Sequence, residues 1–77
     1  MKTIIYADNM LQAKQYASVK DLQKSEWIYL SDFITLLGRC DCNLIKTGTW
    51  YANTQINNDK VEQYCKSHNI NMSEDYY

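Results

Sequence analysis

The stretch from Trp27 to Asn53, WIYLSDFITLLGRCDCNLIKTGTWYAN, contains two short apolar runs that each give way to small polar residues. The first run, WIYL at 27–30, is followed by Ser-Asp, and the second, NLIKT at 43–47, is followed by Gly-Thr. A third run near the N-terminus, TIIYA at 3–7, ends in Asp-Asn. Runs rich in β-branched and aromatic residues favour strands. Three of them with polar ends predict parallel strands whose carboxyl ends share one edge, where α/β sheets bind ligands.

Helix signals between these runs predict an α/β order. Polar residues that can cap a helix follow the first run, and the first helix begins at Met10. A short second helix is predicted at 33–37 and ends at Gly38, and a last helix follows the Asn-Asn-Asp sequence at 57–59. The predicted fold class is therefore α/β, with a minimal three-stranded parallel sheet in the order βαβ(α)βα.

Two alternatives remain open for the end of the chain. In an α+β fold, residues 43–49 and 50–55 would form a C-terminal hairpin that bends at Gly48. Residues 69–72 could add a short fourth strand. We predict a single small domain over residues 1–72 and a C-terminal tail over residues 73–77.

The composition limits the classes of function. A chain of 77 residues buries only about 60–65% of its unfolded surface, so oligomerisation, a metal or a partner is expected to add stability. The net charge is −1, and the eight basic residues are scattered rather than clustered, which disfavours direct nucleic-acid binding. No apolar run approaches a membrane span. Three cysteines without framework spacing are typical of a reducing cytoplasm.

Polar residues at the predicted strand ends form a candidate small-ligand site. Its members are Asp8, Asn9, Ser31, Asp32 and Thr49. Helix N-termini at that edge would favour an anion, such as a nucleotide-like ligand. The same residue types are also ordinary helix caps that need no ligand. The chain also lacks a glycine-rich phosphate loop, so a nucleotide would be without its usual cradle.

The cysteines and the single histidine form a candidate metal site. Cys65 and His68 are three positions apart on the predicted last helix, so they share a face. Cys40 and Cys42 precede the third strand, at the end of the sheet to which that helix returns, and the four side chains could hold zinc. However, C-x-C spacing is uncommon in structural zinc sites, and cysteine is often simply buried. We expect no cofactor and no enzymatic activity, because no base and orienting group accompany a nucleophile.

The aromatic content points to a binding surface. Two Trp, seven Tyr and one Phe exceed what so small a core can enclose, and exposed Tyr and Trp are favoured at protein interfaces. The candidate partner contacts are Trp50, Tyr51, Trp27, Tyr76 and Tyr77. The acidic, aromatic C-terminus is also a candidate for docking in a basic, apolar groove.

The runs IIYA, WIYLSD and TGTWY together resemble segments of small proteins of tailed bacteriophages. The resemblance covers roughly residues 3–53, and its most distinctive part is GTWY at 48–51. It implies a cytoplasmic protein of the host cell that binds and disables a host protein, including CRISPR and other defence effectors. We therefore predict a non-enzymatic, anti-CRISPR-like inhibitor. A ligand-binding module, a zinc-stabilised domain and a homo-oligomer remain alternatives.

Overall fold

A parallel sheet runs through the middle of the molecule. The computed structural model describes residues 3–39, 42–54 and 56–76. Within these residues the sheet has four strands, β1 (Thr3–Tyr6), β2 (Trp27–Tyr29), β3 (Asn43–Lys46) and β4 (Asn71–Glu74). Their order across the sheet is β2-β1-β3-β4, and all three pairings are parallel.

Two α-helices connect these strands, and both begin at the asparagine caps that their sequences predict. Helix α1 (Met10–Val19) joins β1 to β2, and the Asn9 side chain accepts a hydrogen bond from its first turn. Helix α2 (Asn58–Ser67) joins β3 to β4, and Asn57 caps it in the same way. Each cap satisfies a backbone N–H that has no partner within the helix.

Three short 3-10 turns complete the connections in the described part of the chain. They span Lys24–Glu26, Phe33–Leu36 and Trp50–Ala52. Helix α1 and helix α2 have ten residues each. In the described ranges, no helix has the length and apolar character needed to cross a bilayer.

The alternation of side chains along the strands produces two cores, one on each face of the sheet. On the α1 side, Ile5 packs with small residues of the helix and with Tyr16. On the opposite side, Ile4 and Leu44 pack with α2 and with the Phe33–Leu36 turn. The result is a three-layer α/β arrangement, which confirms the predicted fold class.

The prediction of a three-stranded sheet was wrong, and the alternative of a fourth strand at residues 69–72 is confirmed in part, since the strand spans Asn71–Glu74. Residues 71–74 form β4 in register with β3, so Ser73 and Glu74 belong to a strand and not to a tail. Their strand is hard to recognise locally because Asn-Met-Ser-Glu has little β-propensity, and its pairing to β3 decides the conformation.

The alternative of a C-terminal hairpin was also wrong. The third strand ends at Lys46, and Gly48 adopts φ of 58°, a left-handed conformation that turns the chain out of the sheet. The next residues form the Trp50–Ala52 3-10 turn instead of a returning strand.

Candidate functional site at the carboxyl edge of the sheet

The strand order places a topological switch point between β1 and β3. The chain leaves β1 to reach β2 on one side, and it leaves β3 to reach β4 on the other side. Connections that diverge in this way open a crevice at the carboxyl ends of the two strands, where α/β sheets commonly bind small ligands. The residues at this point are Asp8, after β1, and Gly48 with Thr49, after β3.

The side chain of Gln12 fills this switch point. Its Oε1 accepts hydrogen bonds from the backbone N–H groups of Asp8 and Thr49, both at 3.2 Å. Its Nε2 donates to the Thr49 hydroxyl at 2.9 Å. An ideal Cβ on Gly48 would lie only 2.6 Å from Gln12 Oε1, so glycine allows the amide to approach the turn. Gln12 therefore occupies the two N–H groups that an anion would use.

The other predicted ligand-binding residues make local hydrogen bonds. Asn9 caps α1. Asp32 caps the Phe33–Leu36 turn by accepting from the Thr35 N–H at 3.2 Å, and Ser31 Oγ lies 3.2 Å from Thr35 Oγ1. The structure thus brings Asp8 and Thr49 together through Gln12, whereas Asp32 caps its own turn and Ser31 contacts the Thr35 hydroxyl of that turn.

Three of the predicted partner-binding residues meet beside the switch point. The rings of Trp50 and Tyr51 are 5.8 Å apart in an edge-to-face arrangement, and the Trp50 indole N–H donates to the Tyr76 hydroxyl at 3.0 Å. Tyr51 is 71% exposed and Tyr76 is 52% exposed, while Trp50 is partly buried. We call these three side chains the aromatic cluster. It joins the turn after β3 to the segment after β4.

The aromatic cluster rests on a rigid support. The edge of Trp50 packs against the buried ring of Tyr6, with 5.5 Å between ring centroids. Lys46, only 7% exposed, places its ammonium 4.2 Å from the centre of the Trp50 ring, a cation–π contact. The same ammonium pairs with Glu62 Oε1 at 3.3 Å. Trp50 is therefore held in one orientation by both an aromatic ring and a buried cation.

Trp27, a fourth predicted contact, does not join the cluster. Trp27 begins β2, at the amino edge of the sheet, and packs against the core on the α1 side. Tyr77 lies outside the described residues. The sequence pattern could not distinguish a core aromatic residue from a surface one, because an aromatic residue at the start of a strand has the same local sequence context in both cases.

A cavity of about 590 Å³ lies between α2 and the outer strand β4. Its walls combine apolar side chains with both signs of charge, and they include Lys46, Trp50, Glu62, Cys65, Lys66 and Met72.

The sequence did not identify Lys46 and Gln12 as site residues. The alternation of side chains along β3 places Lys46 on the same face as buried Leu44, and this pattern could have indicated that Lys46 points toward the core.

The predicted metal ligands occupy different environments. Cys42 and Cys65 are buried in the core on the α2 side. Burial raises the pKa of the Cys65 thiol to about 11, with a further contribution from Cys42. His68 is exposed and stacks on Tyr64, with 3.8 Å between ring centroids. Cys40 lies outside the described residues, and no group of three His, Cys, Asp or Glu side chains suited to a metal occurs within them.

Comparison with known proteins leaves the site to be interpreted from its geometry. No protein-family model, curated protein or solved structure matches the chain. The bacteriophage origin and the inhibitory role therefore stay predictions.

Proposed function

We propose that the chain is a non-enzymatic, phage-type protein that binds a host protein through the aromatic cluster and thereby inhibits it. The observation that carries this proposal is the convergence of Trp50, Tyr51 and Tyr76 on one exposed edge. Tyr and Trp are the residue types that most often dominate the energy of a protein interface. An anti-defence target, such as a CRISPR effector, is the specific form that the phage resemblance suggests.

Preorganisation favours binding at this cluster. A side chain that is already held in its bound orientation loses little conformational entropy on association. Trp50 is held by Tyr6, by the Lys46 ammonium and by its hydrogen bond to Tyr76. Tyr51 then presents most of its ring to solvent beside a fixed neighbour. The partner would bury this ring without first having to order the surface beneath it.

The charge beside the cluster indicates the chemistry of the partner. The Tyr76 hydroxyl donates to the Glu74 carboxylate at 3.0 Å, and Glu74 is exposed. An apolar pocket with a basic rim would therefore receive the aromatic rings and pair with the carboxylate. This matches the partner groove predicted for the acidic, aromatic C-terminus.

The first test is a pull-down of the tagged chain from nuclease-treated bacterial lysate, with mass spectrometry of the captured proteins. We expect one host protein in stoichiometric amount. Its affinity is then measured with purified wild type and variants. Tyr51→Ala should weaken binding by roughly 30-fold or more, as expected for an interface hot spot.

Ile34→Ala is a matched control for this measurement. Ile34 and Tyr51 are both 71% exposed, but Ile34 belongs to the Phe33–Leu36 turn after β2 and not to the aromatic cluster. We expect Ile34→Ala to bind as wild type does. The proposal is overturned if no host protein is captured, or if both substitutions change affinity equally.

A second candidate function is a small-ligand module at the switch point. The supporting observation is that two backbone N–H groups, from Asp8 and Thr49, already converge on one oxygen atom of Gln12. An anionic, nucleotide-like ligand could replace that oxygen if the Gln12 side chain moved. Nucleotides at saturating concentration should then raise the melting temperature, and more so in Gln12→Ala. Unchanged melting in both proteins would exclude this function.

A further inference from the structure

We propose that two copies of the chain associate through the outer edge of β4, so that their sheets become continuous. Asn71 N–H donates to the Cys42 carbonyl, and Asp75 N–H donates to the Lys46 carbonyl. Because successive residues of a strand point their backbone groups to opposite sides, the N–H and C=O groups of Met72 and Glu74 face away from β3. They form a short row of hydrogen-bonding groups that no strand in the described ranges pairs with.

β4 carries one charged residue, Glu74, and lacks the lysine and proline that most strongly block pairing at an edge. Natural edge strands are commonly protected by lysine, proline, a bulge or a covering segment. β4 reads Asn-Met-Ser-Glu and has neither lysine nor proline. In the described residues, the sheet ends at β4, and no further strand covers it. An open edge of this kind is a template for another strand.

The strand is self-complementary in one antiparallel register. A two-fold axis through Ser73 places Met72 opposite Glu74 of the second copy, and Glu74 opposite its Met72. Both pairs use outward backbone groups, so they form hydrogen-bonded pairs on each side of the axis. Ser73 is the only residue that lies opposite the same residue of the second copy, so no two like charges lie opposite each other. A register centred on Glu74 would instead oppose two carboxylates, which is unfavourable.

The same axis brings the two α2 helices together on one face of the joined sheet. Met72 lies on the α2 side because its β3 neighbour, Leu44, does. Glu62 and Lys66, one turn apart on α2, both line the cavity beside β4. Helices related by a two-fold axis run antiparallel, so Glu62 of one copy can pair with Lys66 of the other. The second copy would thus cover the cavity with complementary charge.

This association goes beyond the proposed function, and its surface borders the aromatic cluster at Glu74, which bonds Tyr76, and at Trp50, which lines the cavity. The aromatic cluster lies at the carboxyl edge of the sheet, whereas the pairing uses the side of β4 and the flank of α2. A dimer would carry two aromatic clusters. Self-association would also supply the additional burial that a chain of this length is expected to need.

The test is the molecular mass measured by light scattering after size-exclusion chromatography, with Ser73→Glu, with Ser73→Lys and with their mixture. Wild type should have twice the monomer mass of 9.1 kDa. Each variant places two like charges at the axis and should be monomeric. The mixture opposes Glu with Lys and should recover the dimer. Circular dichroism of each variant checks folding, since Ser73 is exposed.

Hydrogen exchange gives a second readout that does not depend on the variants. In wild type, the amides of Met72 and Glu74 should exchange faster on dilution as dimers dissociate, while the Asp75 amide, bonded to Lys46, stays protected. A wild type that is monomeric at every concentration overturns the proposal, as do Ser73 variants that remain dimeric. Met72 and Glu74 amides that become protected only when a host protein is added would assign this edge to that protein. Loss of host binding in Tyr51→Ala with an unchanged dimer would separate the two surfaces.

Discussion

The side-chain amide of Gln12 bonds to both the backbone N–H and the hydroxyl of Thr49, at 3.2 and 2.9 Å. These residues are 37 positions apart in the chain. The first belongs to α1, and the second follows β3 at the switch point. The contact therefore fastens the helix on one face of the sheet to the turn that carries the aromatic cluster.

Gln12→Ala should lower the free energy of unfolding by about 1–2 kcal/mol, because the N–H groups of Asp8 and Thr49 lose a shared acceptor in a partly buried position. Urea denaturation measures this change. Gln63→Ala is the control, since Gln63 is exposed on α2 and should change stability by less than about 0.5 kcal/mol. Equal effects of the two substitutions would show that the Gln12 bonds are unimportant.

Gly48→Ala should destabilise the protein more than Gly38→Ala does. Gly48 has φ of 58° and Gly38 has φ of 81°, so an alanine at either position would be destabilised by about 1 kcal/mol of backbone strain. A Cβ at Gly38 meets nothing within 4 Å, whereas one at Gly48 displaces the Gln12 amide. The difference should therefore disappear in a Gln12→Ala background. Additive effects in that double-mutant cycle would contradict the clash.

Tyr16→Phe should destabilise the protein at neutral pH but not in acid. The Tyr16 hydroxyl donates to Asp75 Oδ2 at 2.7 Å, and this bond, followed by the Lys20 contact, lowers the pKa of the Asp75 carboxyl. A lowered pKa in the folded state means that the stabilisation is present above the ordinary value of 3.8 and is lost as pH falls below it.

The measurement for this prediction is the melting temperature of wild type and Tyr16→Phe across the acidic range. The gap between the two proteins should close as Asp75 becomes protonated. Tyr51→Phe serves as the control, because the exposed Tyr51 ring should show no such pH-dependent gap. A constant gap for Tyr16→Phe would mean that the difference comes from a pH-independent effect of losing the hydroxyl and not from its bond to the carboxylate.

The Cys65 thiol should react slowly with alkylating reagents, and its ionisation should lower the free energy of unfolding at alkaline pH. Burial raises its pKa from 9.0 to about 11. Between these values the unfolded chain binds fewer protons than the folded chain, so the free energy of unfolding decreases as pH rises through that window. Alkylation followed by mass spectrometry should show Cys65 protected until the protein unfolds.

Cys65→Ala is the control for the alkaline effect. It should reduce, but not remove, the fall in unfolding free energy above pH 9, because burial also raises the pKa values of Tyr6, Tyr16 and Tyr29. The truncation itself lowers stability at all pH values. Rapid alkylation of Cys65 in the folded protein would contradict its burial.

Local chemistry was sufficient to predict most of the elements. The asparagine cap and the start of α1 at Met10 are confirmed, as are the three β-rich runs and their parallel pairing. These features depend on a few adjacent residues, such as a capping side chain before an amphipathic segment. β4 was predicted only as an alternative, at residues 69–72, because its residues are polar or flexible and pairing with β3 decides that they form a strand.

The candidate site was predicted less completely. Trp50, Tyr51 and Tyr76 were identified by residue type, and the structure brings them together. Trp27 was grouped with them for the same reason, yet it lies at the opposite edge of the sheet. The type of a residue indicates what its side chain can bind. Where that side chain lies in the fold depends on the strand that carries it and on the end of that strand at which it occurs.

The sequence by itself determined the α/β class, the edge at which the strand ends meet and the residue types that line it. Caps, β-branched runs and turn glycines encode these features through interactions between near neighbours. Only the tertiary structure decided that Gln12 fills the switch point and that Lys46 supports Trp50 from within the core. Such contacts join segments distant in the chain, and they form only when the crossovers place α1 and α2 on opposite faces of one sheet.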